Sequence, residues 1–158
     1  AADLYDFKLI IIGDGPLKDE VVKHTQQNKN ISYIGFQPKK TILEYLKKCR
    51  ALIFPSIWYE GFPVTIAEAF SAGTPVIASD LGSMKEIIQN RVNGLHFKPG
   101  DEEDLVFSII EITAYKEMAK QLSENARATY LQYYSPEKNY AQLMGIYRKA
   151  LRSKTKTI

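Results

Sequence analysis

Two carboxylates eight residues apart, Glu60 and Glu68, bracket the stretch Gly61-Phe62-Pro63-Val64-Thr65. The second stands inside an apolar run from Pro63 to Ala72. That run reads as a buried helix, with Pro63 as its first residue and Gly73 and Pro75 as its stop signals. A lone carboxylate in such a helix is costly unless it bonds a backbone group, meets a basic residue or meets a ligand. The spacing favours a ligand. Helical side chains lean toward the N-terminus, so Glu68 lies over Val64 and Thr65. The amides of those two residues belong to the first turn and have no helical partner. Free amides and the helix dipole together attract an anion.

A carboxylate beside an anion site is contradictory unless it grips an uncharged hydroxyl one step along the ligand. A ribose supplies such hydroxyls. Glu60, in the loop ahead of the helix, would reach hydroxyls on the far side of a diphosphate. Ribose, two phosphates and hexose form the layout of a nucleotide-sugar. Gly61 lets the backbone come close to it.

Elements that could hold this loop and helix in place are readable along the chain. Apolar, β-branched runs at 7–12, 31–34, 51–54, 75–78 and 94–97 alternate with helix-like stretches at 17–27 and 41–48. Short buried strands alternating with helices predict a doubly wound parallel sheet, in which ligands bind at the carboxyl edge of the strands. From Asp101 the pattern turns helical. Asp101-Glu102-Glu103-Asp104 places four acids in a first helical turn, where the dipole favours them over a metal-site role. A polar helix is expected near 115–130, and Ser135-Pro136-Glu137 reads as a cap opening another. Its stripe of Tyr140, Leu143, Tyr147 and Leu151 is expected to pack. The opening Ala1-Ala2-Asp3-Leu4-Tyr5 resembles a helix tail leading straight into a strand, so further chain is expected ahead of it.

The 158 residues, 45% apolar and 25% charged, suit one globular domain. The net charge of +3 is too small to imply nucleic acid. Cys49 is the sole cysteine, which rules out an internal disulfide; an inert core or half-buried thiol and a reducing compartment fit it. No apolar run approaches the roughly 20 residues of a membrane span, and no signal peptide is visible. Arg148, Lys149, Arg152, Lys154 and Lys156 make a basic end. It reads first as a solvated terminus, and second as a segment that could touch anionic lipid.

In combination these residues resemble the retaining nucleotide-sugar glycosyltransferases of the GT-B fold, family 4. The family's mark is a glutamate, seven residues and a second glutamate, here Glu60 to Glu68, followed by Ala69-Phe70-Ser71-Ala72-Gly73-Thr74-Pro75-Val76-Ile77-Ala78. Ile11-Ile12-Gly13-Asp14-Gly15-Pro16, Ile34-Gly35-Phe36, Asp80-Leu81-Gly82-Ser83 with Glu86, and Asn93-Gly94-Leu95 are similar to its other motifs. The resemblance implies a Rossmann-like second domain, spanning 1–158, whose first strand and whole acceptor-binding partner domain would lie upstream. It implies that Glu68 bonds the ribose and that Glu60, the catalytic candidate, holds the transferred sugar with Gly61, Phe62 and Pro63. The amides of Val64 and Thr65 would cradle the diphosphate. The base would lie near Gly35, Phe36 and Gln37, and Gly13 and Gly15 would line the cleft. The whole enzyme would move a hexose from a UDP-, GDP- or ADP-sugar to a glycan or lipid-linked acceptor in the cytoplasm or on the inner membrane face, while the isolated chain would be inactive. The family's phosphate-binding arginine and lysine would precede Ala1, and the sequence offers no evident substitute. No Asp-x-Asp occurs, so no metal or other cofactor is expected. The alternatives are a non-catalytic nucleotide-binding module, a nucleotide-sugar epimerase, or a dinucleotide oxidoreductase. Lys18, standing where the third glycine of Gly-x-Gly-x-x-Gly belongs, speaks against the last.

Overall fold

The computed structural model describes residues 7–154. The expected helix tail at 1–5 and Lys156 of the basic end lie outside them. Among the described residues five strands and seven helices follow in order, alternating as far as α5: β1 (Leu9–Ile11), α1 (Lys18–Gln27), β2 (Ile31–Tyr33), α2 (Lys39–Leu46), β3 (Leu52–Phe54), α3 (Val64–Ser71), β4 (Val76–Ser79), α4 (Gly82–Ile87), β5 (Gly94–Phe97), α5 (Glu102–Ala114), α6 (Lys116–Thr129) and α7 (Pro136–Lys154). A π-helical turn, Tyr130–Tyr134, joins the last two. Every strand pairing is parallel. The ladder β3-β4-β5 sets Val76 between Leu52 and Gly94, while β1 and β2 form a separate two-stranded ladder with Leu9 opposite Ile31.

Strand alternation divides the core into two layers, which makes the fold doubly wound. On one face Val76 and Ala78 pack with Leu46 of α2, Ile66, Ala69 and Phe70 of α3, and Met84 and Ile87 of α4. On the other, Ile77, Leu95 and Phe97 pack with Ile112 of α5 and with Ala119 and Leu122 of α6. All four residues of β4 are buried, as covering both faces of a parallel strand requires. Phe70 is fully buried, and truncating such a side chain costs about 3–5 kcal/mol.

Gly94 fits where no side chain could. A Cβ there would stand 2.3 Å from the Val76 carbonyl oxygen and 2.9 Å from Ile88 Cγ2. Beside it, buried Asn93 ties the turn together: its Oδ1 accepts from Gln89 N at 2.8 Å, and its Nδ2 donates to Thr129 Oγ1 at 3.2 Å.

Several expectations need correction. The strands at 9–11 and 31–33 are only half-buried, and α1 buries no residue. Pro63 caps α3 rather than entering it, with φ −74° and ψ 97°. α3 is buried at Ile66, Ala69 and Phe70 but exposes Val64, so it is not buried all round. α4 was not anticipated; six residues are too few to show a helical period. The Tyr140, Leu143, Tyr147 and Leu151 stripe is exposed rather than packed. Two of the four acids serve the backbone: Asp101 caps α5 by accepting from Asp104 N at 3.1 Å, and Asp104 accepts from Lys98 N at 2.7 Å. Ser135 precedes α7 as expected, its Oγ accepting from Lys138 N at 3.4 Å.

Candidate functional site

Within each ladder the strands run the same way, so the segments that leave their carboxyl ends share an edge: Gly13 after β1 and Gly35-Phe36-Gln37 after β2 in one, the 55–63 loop after β3 and Asp80 after β4 in the other. This is where a doubly wound sheet takes its ligand. The first two segments are tied together. Gly13 N donates to the Gly35 carbonyl at 3.0 Å, and the Tyr33 hydroxyl donates to the Gly13 carbonyl at 2.8 Å. A Cβ placed on Gly13, Gly15, Gly35 or Gly61 would meet nothing within 4 Å, so each borders open space.

The α3 N-terminus has no side-chain cap, because proline occupies the capping position. Ile66 N bonds the Pro63 carbonyl at 3.0 Å, but no hydrogen bond among the described residues engages the Val64 or Thr65 amide. Two amides at the positive end of a helix are thus left for an outside acceptor.

Glu60 is half-buried and held from two directions. Its Oε1 accepts from Ser56 Oγ at 2.9 Å, and its carbonyl accepts from Ser83 Oγ of α4 at 2.8 Å. A further clamp is steric. Gly82, at φ +52°, lies under the Tyr59 ring, and a Cβ there would stand 3.1 Å from Tyr59 Cδ1. Phe62 leans on Tyr134 of the π turn, their ring centroids 5.6 Å apart. Ile57, Trp58 and Tyr59 nevertheless stand exposed, Trp58 by 74%.

Glu68 has a partner that the sequence did not reveal. Its Oε1 lies 2.8 Å from Lys39 Nζ; the Glu68 side chain is 20% exposed and that of Lys39 71%. The hydrogen bond to Glu68, and then the field of that carboxylate, hold the Lys39 amine above the ordinary lysine range. Lys39 therefore meets the need of a carboxylate in an apolar helix without a ligand, the second of the three reasons weighed above. It also puts a basic side chain beside Glu68, whereas the sequence offers no evident substitute for the family's phosphate-binding arginine and lysine. Lys39 opens α2, which starts just after the carboxyl end of β2, so Glu68 is drawn toward the open edge of the sheet. One signal was available: Lys39 and Lys40 open a helix with no acid in its first turn, against the dipole.

The remaining expected residues differ in availability. Phe36 is exposed and free to stack, whereas the Gln37 amide is spent on the Ile34 carbonyl at 2.7 Å. Beneath the β4 end, His96 Nδ1 faces Asp80 Oδ1 at 3.6 Å, while its Nε2 and the Ser79 hydroxyl are buried without hydrogen-bond partners. Burial pushes the His96 imidazole below its ordinary range, with Asp80 opposing. Ser56, Tyr59 and His96 have no role legible in the sequence, and Ser83 stands there only within the 80–83 motif, because each acts through a contact that the folded chain creates.

The arrangement can bind an elongated ligand with an anionic centre and hydroxylated ends. Comparison with known proteins agrees with the fold. O-antigen chain mannosyltransferase C of Escherichia coli is 26% identical over 159 residues, covering 98% of this chain and 43% of that protein. The solved structure of Anabaena HepE in complex with UDP superposes with a TM-score of 0.81 at 23% identity, covering 90% of this chain and 41% of that one. The C-terminal domain of a glycosyl transferase group 1 family protein from Francisella tularensis gives 0.76 at 22% identity, covering 85% and 74%. The chain spans 35–43% of the length of three curated relatives that it matches. Its architecture is the Rossmann-like half of a GT-B glycosyltransferase. Residues 1–129 match the family described as glycosyl transferases group 1, and the chain belongs to that family.

Proposed function

We propose that this chain is the donor-binding domain, residues 1–158, of a retaining family 4 hexosyltransferase that uses a UDP-, GDP- or ADP-sugar. The carrying observation is the uncapped α3 N-terminus, whose Val64 and Thr65 amides stand unpartnered between Glu60 and Glu68. The diphosphate binds those amides, and Glu68 takes the ribose hydroxyls. Glu60 holds the transferred sugar with Gly61, Phe62 and Pro63. The base lies against Gly35, Phe36 and Gln37, Phe36 offering its exposed ring, and Gly13 and Gly15 border the cleft. Lys39 adds a cation that shifts between Glu68 and phosphate. That the similar Anabaena structure was solved in complex with UDP supports a nucleotide as the ligand.

In the reaction the bond from the anomeric carbon to the diphosphate oxygen breaks with its electron pair leaving on the nucleoside diphosphate, and an acceptor hydroxyl oxygen bonds to that carbon on the same face, its proton released with the departing diphosphate. Amides aimed at the leaving diphosphate stabilise its growing charge, a role that needs no metal. The acceptor, a glycan or a lipid-linked sugar, binds a second domain, and the chain alone binds donor without transferring it. The setting is cell-surface polysaccharide assembly in the cytoplasm or at the inner membrane face. Among the described residues no helix is long and apolar enough to cross a membrane. A calorimetric panel of UDP, GDP and ADP, with and without attached sugars, is the test. Tighter binding of one nucleotide family is expected; nicotinamide dinucleotides binding more tightly than all of them would refute the proposal.

A further inference from the structure

At the opposite edge of the sheet, where the chain enters β3 and β4, lies a concavity of about 410 Å³. Its walls carry Lys47, Lys48 and Arg50 from the end of α2 and the turn after it, and Lys116 and Lys120 from the first turns of α6. Glu44 bonds Lys47 at 2.9 Å, but Lys48, Arg50, Lys116 and Lys120 form no ion pair among the described residues. Glu117 borders a neighbouring hollow with Arg91 and Glu111 instead.

This crowding opposes folding. Lys116 and Lys120 lie one helical turn apart and repel, at the end of α6 that is already positive. Concave walls concentrate the field of several like charges. We infer that the concavity binds a phosphate-bearing anion, soluble or part of a lipid headgroup, at a site separate from the donor cleft.

The sole cysteine, Cys49, is exposed rather than half-buried as expected; it lines the same concavity and reports on it. Two measurements on the full chain separate the sources: the rate of Cys49 modification by a neutral maleimide, with inorganic phosphate or pyrophosphate against chloride at matched ionic strength, and co-sedimentation with phosphatidylcholine vesicles with or without phosphatidylglycerol. Protection by phosphate identifies a soluble ligand, and retention only on phosphatidylglycerol vesicles identifies a headgroup. In either case Arg50→Gln with Lys120→Gln is expected to weaken binding about fivefold or more, from two exposed charge contacts. UDP affinity stays unchanged in that variant, so this inference and the donor proposal fail independently. Absence of both effects, or their survival in the double variant, overturns the inference. Vesicle binding removed instead by Arg148→Gln with Lys149→Gln belongs to α7 and overturns it too.

Discussion

Replacing Glu68 by alanine separates the two parts of the proposed ligand. One Glu68 carboxylate oxygen is taken by Lys39 and the side chain is 20% exposed, so a bound ribose would meet it largely out of water. A hydrogen bond to a charged group of this kind is worth about 1.5–3 kcal/mol. Glu68→Ala should therefore weaken UDP, GDP or ADP by roughly 12- to 150-fold in calorimetry. Inorganic pyrophosphate, which has no ribose, should bind no more weakly, because the substitution releases the Lys39 charge. Lys39 is mostly in water, so the variant should keep its fold, which melting would show. Unchanged nucleotide affinity would refute the ribose role. A pyrophosphate loss as large as the nucleotide loss would show that Glu68 only shapes the helix end.

Other expectations are checked separately. Glu60→Ala should weaken a sugar-bearing donor more than the matching free nucleotide, and equal losses in calorimetry would contradict its placement. Gly94→Ala would drive a methyl into the Val76 carbonyl and Ile88, an overpacking that costs about 1–3 kcal/mol or more; an unshifted urea midpoint would count against that packing. The folded His96 imidazole titrates below its unfolded range, so the unfolded chain binds the extra proton first. Its contribution is complete above the unfolded value of about 6.5 and is lost as pH falls through that value toward the folded one. Unfolding between neutral pH and pH about 5 should show that loss, with a smaller slope in His96→Gln; identical slopes would contradict it.

What the sequence disclosed follows from which forces are local. β4 reads as a continuous apolar run because both its faces are covered, and Ser135 reads as a cap because capping uses neighbours, whereas Asp101 reads as a first-turn acid and is the cap of α5. The α3 N-terminus was legible for the same reason, since amides, proline and both glutamates lie within one short stretch. Lys39 was not legible as the partner of Glu68, because nothing in one helix says which residue of another will reach it. The same holds for the Ser83 bond to the Glu60 carbonyl and for Tyr59 over Gly82. The α7 stripe shows the opposite failure: helical spacing of Tyr140, Leu143, Tyr147 and Leu151 marks an apolar face, but spacing alone does not supply something to cover it.

The central claim is that the free Val64 and Thr65 amides receive a diphosphate. Amide NMR of the chain titrated with UDP and, separately, with uridine tests it most directly. UDP is predicted to shift the Val64 and Thr65 resonances strongly while uridine leaves them near their starting positions. UDP binding that leaves both amides unmoved would contradict the account.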